Sequence, residues 1–237
     1  MTRSMPWKKP AARLKGTFVP LIVALLVVLV TAPLAEGWPL CSALLISFVL
    51  LAGVFAVHDS PLLRRGVVAA MVIVLGLRWL AHTHGQPHGG LVALAHLGIS
   101  VYMLLLGGIC VTAVLRREQI TRDTVLGAVC GYILIAYAFT FGYAFLEDIR
   151  PGSFSSTAMS QDWNLAEIGH GVPELLYYSF LTLTTVGYGD IIPSNGAART
   201  LAILEMLIGQ LYLAAFVARL VGVMAAVQPG PRDEAGA

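Results

Sequence analysis

Apolar residues fall in long unbroken blocks along this chain. They follow neither the alternation of a half-buried strand nor the one-sided stripe of a soluble helix. A helix crossing a membrane needs about 20 mainly apolar residues. Six blocks read as such spans: residues 18–35, 38–57, 66–81, 91–115, 124–146 and 197–227. Pro20 falls in the first turn of the first block, where its ring is tolerated. The third block is short and carries Arg78. Between the fifth and sixth lies "PELLYYSFLTLTTVGYGD", apolar at first but only half a span long. That length predicts a re-entrant helix and loop instead of another crossing.

Composition agrees with this pattern. Of 237 residues, 57% are hydrophobic and 12% charged, and the mean hydropathy is +0.80. Soluble domains are about a quarter charged, so the expected fold class is all-α integral membrane, with six transmembrane helices plus a re-entrant helix and loop. The net charge of +2 says little, but its placement says more. With the N-terminus inside, Arg3, Lys8, Lys9, Arg13, Lys15, Arg64, Arg65, Arg116, Arg117, Arg122, Arg219 and Arg232 all lie on the inner side. Arg78, Arg150 and Arg199 lie in the upper half. Excess Lys and Arg marks the cytoplasmic side, so both termini are expected in the cytoplasm of a multi-pass cell (inner or plasma) membrane protein. A basic start before an apolar run also opens a signal peptide, but here several further spans follow. Cys41, Cys110 and Cys130 lie in or beside apolar runs with no CxxC spacing, and read as small apolar filler.

The segment "TLTTVGYGD", residues 182–190, is too polar and glycine-rich for a helix interior. Irregular backbone at membrane depth is tolerated only inside protein or along a water-filled path. Gly187 and Gly189 admit backbone angles that other residues resist, so successive carbonyls are free to face a common axis.

"TTVGYGD" resembles the potassium-channel signature, and Thr185, Val186, Gly187, Tyr188 and Gly189 match that family's selectivity filter. The resemblance covers residues 124–227 as span, pore helix, filter and span. It implies a pore in which rings of backbone carbonyls, with the Thr185 hydroxyl at the inner end, replace the water around K⁺. One filter strand per chain cannot close a ring, so a homotetramer is implied. K⁺ at the filter carbonyls is the permeant ion, with no other cofactor. Residues 18–115 are placed like the extra four helices of bacterial six-span, one-pore-loop channels. They lie between a basic cytoplasmic N-terminus, residues 1–17, and the pore domain. Residues 228–237 read as a disordered cytoplasmic tail.

Several neighbours then acquire expected roles. Pro173 starts the pore helix, Glu174 suits its positive end, and the negative end near Thr184 favours a cation. Val186 and Tyr188 are expected to point away from the axis and wedge the strand against its supporting helix. Tyr177 and Tyr178 occupy the family's aromatic pair. Asp190 follows the filter, but Leu181 stands where some relatives carry a carboxylate, which leaves Tyr177 as the expected donor to Asp190. Gly209, twenty residues after Gly189, matches the inner-helix hinge glycine and also suits close helix packing. Glu205 is a carboxyl within a span, a functional candidate by default. It is expected to be protonated or hydrogen-bonded to Thr182 or Thr184 behind the pore helix.

No voltage-sensor arginine array is legible, since residues 91–115 contain no Lys or Arg. Arg116 and Arg117 at the inner end follow the positive-inside rule, and Arg78 is a single charge. No nucleotide- or calcium-binding domain is legible after the last span, so the usual gates are not expected. His82, His84, His88 and His96 cluster towards the outer side and read as solvated loop residues or as acid or Zn²⁺ sensors. No transition-metal site is assigned. Glu147, Asp148, Asp162 and Glu167 precede the pore helix and are expected either to concentrate cations at the mouth or to form a soluble turret. The expected partners are lipid, K⁺ and further copies of the chain, with no nucleic acid. A regulatory or non-conducting subunit is the alternative. A membrane metalloenzyme is remote, for want of HExxH or a nucleophile elbow.

Overall fold

The computed structural model describes residues 18–32, 34, 39–56, 61–83, 89–116, 121–156 and 171–227. Seven helices are found in these residues: α1 (Val19–Thr31), α2 (Pro39–Ala56), α3 (Pro61–Thr83), α4 (Gly90–Arg116), α5 (Arg122–Ile149), α6 (Val172–Leu183) and α7 (Gly196–Val227). Two short strands, β1 (Phe154–Ser156) and β2 (Ile191–Pro193), pair antiparallel, with Phe154 opposite Pro193 and Ser156 opposite Ile191. The fold is all-helical as expected, with this one short ribbon besides. Three-residue strands are too short to show a two-residue period in sequence.

Among the described residues, three helical segments are long and apolar enough to cross a membrane: Gly90–Leu115, Arg122–Ile149 and Gly196–Val223. The 13 residues of α1 rise about 20 Å, short of the roughly 30 Å hydrocarbon layer. The 23 residues of α3 extend beyond the predicted block at both ends and include Arg64, Arg65 and Arg78.

Helix α5 is the common wall of the molecule. It takes part in one apolar core with α1, α2 and α4, and in a second with α6 and α7. Its start is fixed by a capping box. Thr121 Oγ1 accepts from the Thr124 N–H at 3.2 Å, and Thr124 Oγ1 accepts from the Thr121 N–H at 3.3 Å. The most extensive helix contact is between α4 and α5. They run antiparallel, since His96 meets Asp148 near one end and Cys110 approaches Gly131 near the other. Small residues let the two backbones approach: a Cβ on Gly107 would lie 3.8 Å from the Gly131 carbonyl oxygen.

Hydroxyl groups bind backbone carbonyls across these helix pairs. Tyr102 donates to Leu50 O (2.8 Å), Tyr137 to Leu25 O (3.1 Å), Ser100 to Ala138 O (2.7 Å) and Tyr212 to Ala128 O (2.5 Å). An apolar surrounding offers no water to satisfy a hydroxyl, so each needs a protein acceptor.

Candidate functional site

Helix α6, the expected pore helix, begins at Val172, with Pro173 and Glu174 in its first turn. Pro173 gives up an N–H that has no partner there, and the Glu174 carboxylate suits the positive end of the helix dipole. The helix ends in a tight reversal. Thr185 N–H donates to Thr182 O at 3.1 Å and Val186 N–H to Leu181 O at 2.9 Å. These two bonds define a Schellman motif, whose left-handed residue is usually glycine. Here it is Thr185, with φ +59°. A β-branched residue in that region is a true outlier and costs about 1–2 kcal/mol. Such strain persists only where its surroundings hold it, and it concentrates at functional sites. The sequence reading gave left-handed freedom to glycines alone and missed this threonine.

Left-handed backbone then recurs at every second residue: Thr185, Gly187 (φ +53°) and Gly189 (φ +77°). Gly187 N–H also turns back to Leu181 O, at 3.3 Å, so the N–H groups of Thr185, Val186 and Gly187 are all directed into the helix end. Consecutive N–H groups converging on one oxygen form a nest. Among the described residues, the carbonyls of Thr185, Val186, Gly187 and Tyr188 accept no hydrogen bond. Residues 184–189 are exposed. The donors of Thr185, Val186 and Gly187 are thus used while the acceptors from Thr185 to Tyr188 are open, the chemistry required to hold a cation by backbone oxygens. The expectation that Val186 and Tyr188 wedge against the supporting helix is not met within one chain. Tyr188 is 72% exposed and Val186 49%, because no described element lies beside them.

Beyond the filter, Tyr177 donates to Asp190 Oδ2 at 2.7 Å, the donor expected once Leu181 replaces a carboxylate. Asp190 Oδ1 accepts from the Ile191 N–H at 3.0 Å. Strand β2 follows at once and is anchored through β1 to the end of α5. Glu147 accepts from the backbone N–H groups of Gly152 (2.6 Å), Ser153 (2.9 Å) and Phe154 (3.3 Å). Ser194 N–H donates to Ser153 O (2.8 Å) and Asn195 Nδ2 to Ser153 Oγ (2.7 Å). Asn195 Oδ1 in turn caps α7 through the Ala198 N–H at 2.9 Å. Glu147 and Asp148 were expected in a solvated acidic linker. Instead α5 runs on to Ile149, which turns both carboxyls inward. Glu147 is buried around the loop and Asp148 pairs with His96 at 2.7 Å. Asp162 and Glu167 lie outside the described residues.

Behind the pore helix, Tyr143, Phe154 and Tyr178 meet edge-on with ring centroids 5.2–5.3 Å apart. The aromatic pair is thus divided: Tyr177 faces the outer mouth and Tyr178 the buried cluster. Glu205 is fully buried. Its partners are Tyr143, whose hydroxyl donates to Oε2 at 2.5 Å, and Ser179, in place of the expected Thr182 or Thr184. Ser179 lies about one helical turn before Thr182 on α6, level with Glu205. Thr184 Oγ1 instead donates to Phe180 O at 2.6 Å. Tyr132 donates to Leu183 O at 3.1 Å, closing another carbonyl at the pore-helix end. Gly209 sits against the same residue: a Cβ there would lie 2.9 Å from Leu183 O and 2.7 Å from its Cδ1. In this conformation Gly209 permits close packing of α7 on α6, within an unbroken helix.

Of the four outer histidines, His84 and His88 lie outside the described residues, as does the side chain of His82. His96 is buried and tied to Asp148, so it is no loop histidine. Arg78 Nε is buried with no hydrogen-bond partner among the described residues. No group of three or more His, Cys, Asp or Glu side chains placed to hold a metal ion occurs among them either.

Residues 132–226 match the family profile described as "Ion channel". The segment is similar to "Two pore potassium channel c" of Oryza sativa subsp. japonica, 35% identical over 82 residues, which is 32% of this chain and 16% of that protein. It is also similar to "Two-pore potassium channel 1" of Arabidopsis thaliana, 53% identical over 32 residues, 14% of this chain and 9% of that protein. The chain spans less than a fifth of the length of these curated relatives. No solved structure matches it significantly. Over this segment the chain is similar to ion channels, and the relatives named here are potassium channels.

Proposed function

We infer that the protein is a potassium-selective channel, conducting K⁺ passively through a pore built by four copies. The observation that carries this reading is the segment from Thr185 to Gly189: left-handed backbone at alternate residues, N–H groups directed into the pore helix, and a row of open carbonyl oxygens. Four such strands about one axis replace the hydration shell of K⁺ with protein oxygens. The names of the rice and Arabidopsis relatives support the choice of ion.

Assembly is supported by α7, which exposes Ile203, Leu207, Leu211, Val217 and Val221. Such a surface is at home against lipid or against another apolar helix. In the assembled channel the bare side chains of Val186 and Tyr188 are covered by neighbouring copies. The six apolar blocks, with both termini in the cytoplasm, give the arrangement in a cell membrane.

Opening is at most weakly voltage-dependent. Moving a charge through the membrane field is worth about 2.3 kcal/mol per 100 mV, and α4 carries no Lys or Arg before Arg116. Reconstitution of the purified protein in liposomes tests the conclusion. A K⁺ gradient should drive ion flux that an equal Na⁺ gradient does not. Equal flux of both ions, or none in the tetramer, refutes it.

A further inference from the structure

The hydrogen bonds around Glu205 carry a count of protons. Ser179 Oγ lies within hydrogen-bonding distance of two oxygens, the Ala136 carbonyl (2.8 Å) and Glu205 Oε1. Tyr143 donates to Glu205 Oε2. Ser179 has a single proton to give. If Glu205 were ionised it would only accept, and that proton could satisfy one neighbour alone. The other contact would then place lone pair against lone pair in a site without water.

With a proton on Oε1 the set closes. The carboxyl donates to Ser179, Ser179 donates to Ala136 O, and Tyr143 donates to Oε2: three protons for three bonds. The surroundings agree. Ser179, Tyr143 and Glu205 are all fully buried. The titratable groups facing Glu205 are the phenols Tyr132 and Tyr143 of α5 and Tyr178 of α6. The ion pair found among the described residues is His96 with Asp148, at another site. An ionised carboxylate buried without a cation is strongly disfavoured.

We propose that Glu205 is held as a neutral carboxylic acid and acts as a positioning residue, latching the inner helix α7 to the pore helix α6 and the outer helix α5. Ser179 lies about one and a half helical turns before the cap at Thr185. Fixing Ser179 against both α5 and α7 fixes the cap, and with it the direction of the filter carbonyls. Movement of α7 relative to α6 must break a hydrogen bond in a dry site. This inference rests on the channel reading for its consequence, but not for its protonation state.

The test uses the full chain in lipid and reads both. An infrared difference spectrum between the parent and E205Q, at neutral pH, should show the carbonyl-stretch band of a protonated carboxyl in the parent only. The band should shift in Y143F and S179A, each of which removes one partner. In flux assays, E205Q should keep its preference for K⁺, because the amide, like the neutral acid, donates from one end to Ser179 and accepts at the other from Tyr143. E205D, too short to reach, should lose at least about tenfold in that preference, the scale of one buried hydroxyl left unpaired. A carboxylate band in place of the protonated one overturns the proposal, whether or not the protein conducts. E205Q as impaired as E205D overturns the positioning role. A protonated band in a protein without K⁺ preference would refute the channel reading and leave the protonation standing.

Discussion

Helices α5 and α7 are similar in length and apolar character, yet the chain treats them oppositely. Of the most apolar stretch of α5, 72% is buried within the chain; for α7 the figure is 17%. Helix α5 is wrapped by α1, α4, α6 and α7, and its buried Tyr137, Tyr143 and Glu147 are each hydrogen-bonded within the chain. Helix α7 touches the rest along one narrow line, where Glu205, Gly209 and Tyr212 meet α5 and α6. One helix is covered by its own chain, while the other leaves most of its apolar surface bare. Apolar composition alone does not distinguish the two; the small and polar residues along each face do.

The largest expected effect comes from placing a charge on each helix in turn. Leu134 of α5 is fully buried, so L134D strands an unpaired charge and costs about 3–5 kcal/mol or more. It should yield no folded protein by circular dichroism or protease resistance. Leu211 of α7 is 67% exposed, so L211D should leave a folded chain that native mass spectrometry finds as monomer. A tetrameric L211D variant would show that the bare face of α7 is lipid-facing only.

Next in size is G187A. A Cβ at Gly187 meets nothing within 4 Å, so the constraint is its φ of +53° and not space. A side chain in left-handed backbone costs about 1–2 kcal/mol per chain, paid at four positions in one ring. Selective flux should vanish while the tetramer survives; unchanged selectivity would mean that the filter is misassigned. G209A follows. Its Cβ would press on Leu183 O at 2.9 Å, an overpacking of about 1–3 kcal/mol. A lowered melting temperature with partly retained flux is expected, whereas a stability unchanged from the parent would contradict close packing here. The smallest effect belongs to R78Q. With Arg78 the one charge within the apolar length of α3, and no Lys or Arg in α4 before Arg116, the conductance–voltage curve should stay shallow. A steep parent curve that R78Q flattens would overturn the weak-voltage reading.

The turn after α6, where the filter is proposed, and its immediate support were the most legible parts of the sequence. "TVGYG", Pro173, Glu174 and the Tyr177–Asp190 pair are local or nearly local features, fixed by spacing along one short stretch. Helix ends were less legible. The sequence places the end of the fifth block at residue 146, but α5 continues to Ile149, because Glu147 and Asp148 find partners that no local pattern reveals. The partners of Glu205 were misplaced for the same reason: the register between α6 and α7 is set by packing at Gly209 and Leu183. The left-handed Thr185 was hidden because threonine is an unfavourable residue for that conformation. Its only signal was position, two residues past the last helical turn, where a Schellman cap demands the left-handed state. The β1–β2 pair leaves almost no trace in three-residue strands.

The central claim is that open carbonyls from Thr185 to Tyr188 select K⁺. It is tested most directly by the reversal potential of the tetramer in a planar bilayer, with K⁺ on one side and Na⁺ at equal concentration on the other. The reversal potential should lie far from zero, with the sign of a K⁺-permeable membrane, and should collapse towards zero in G187A. A reversal potential near zero in the parent protein would contradict it.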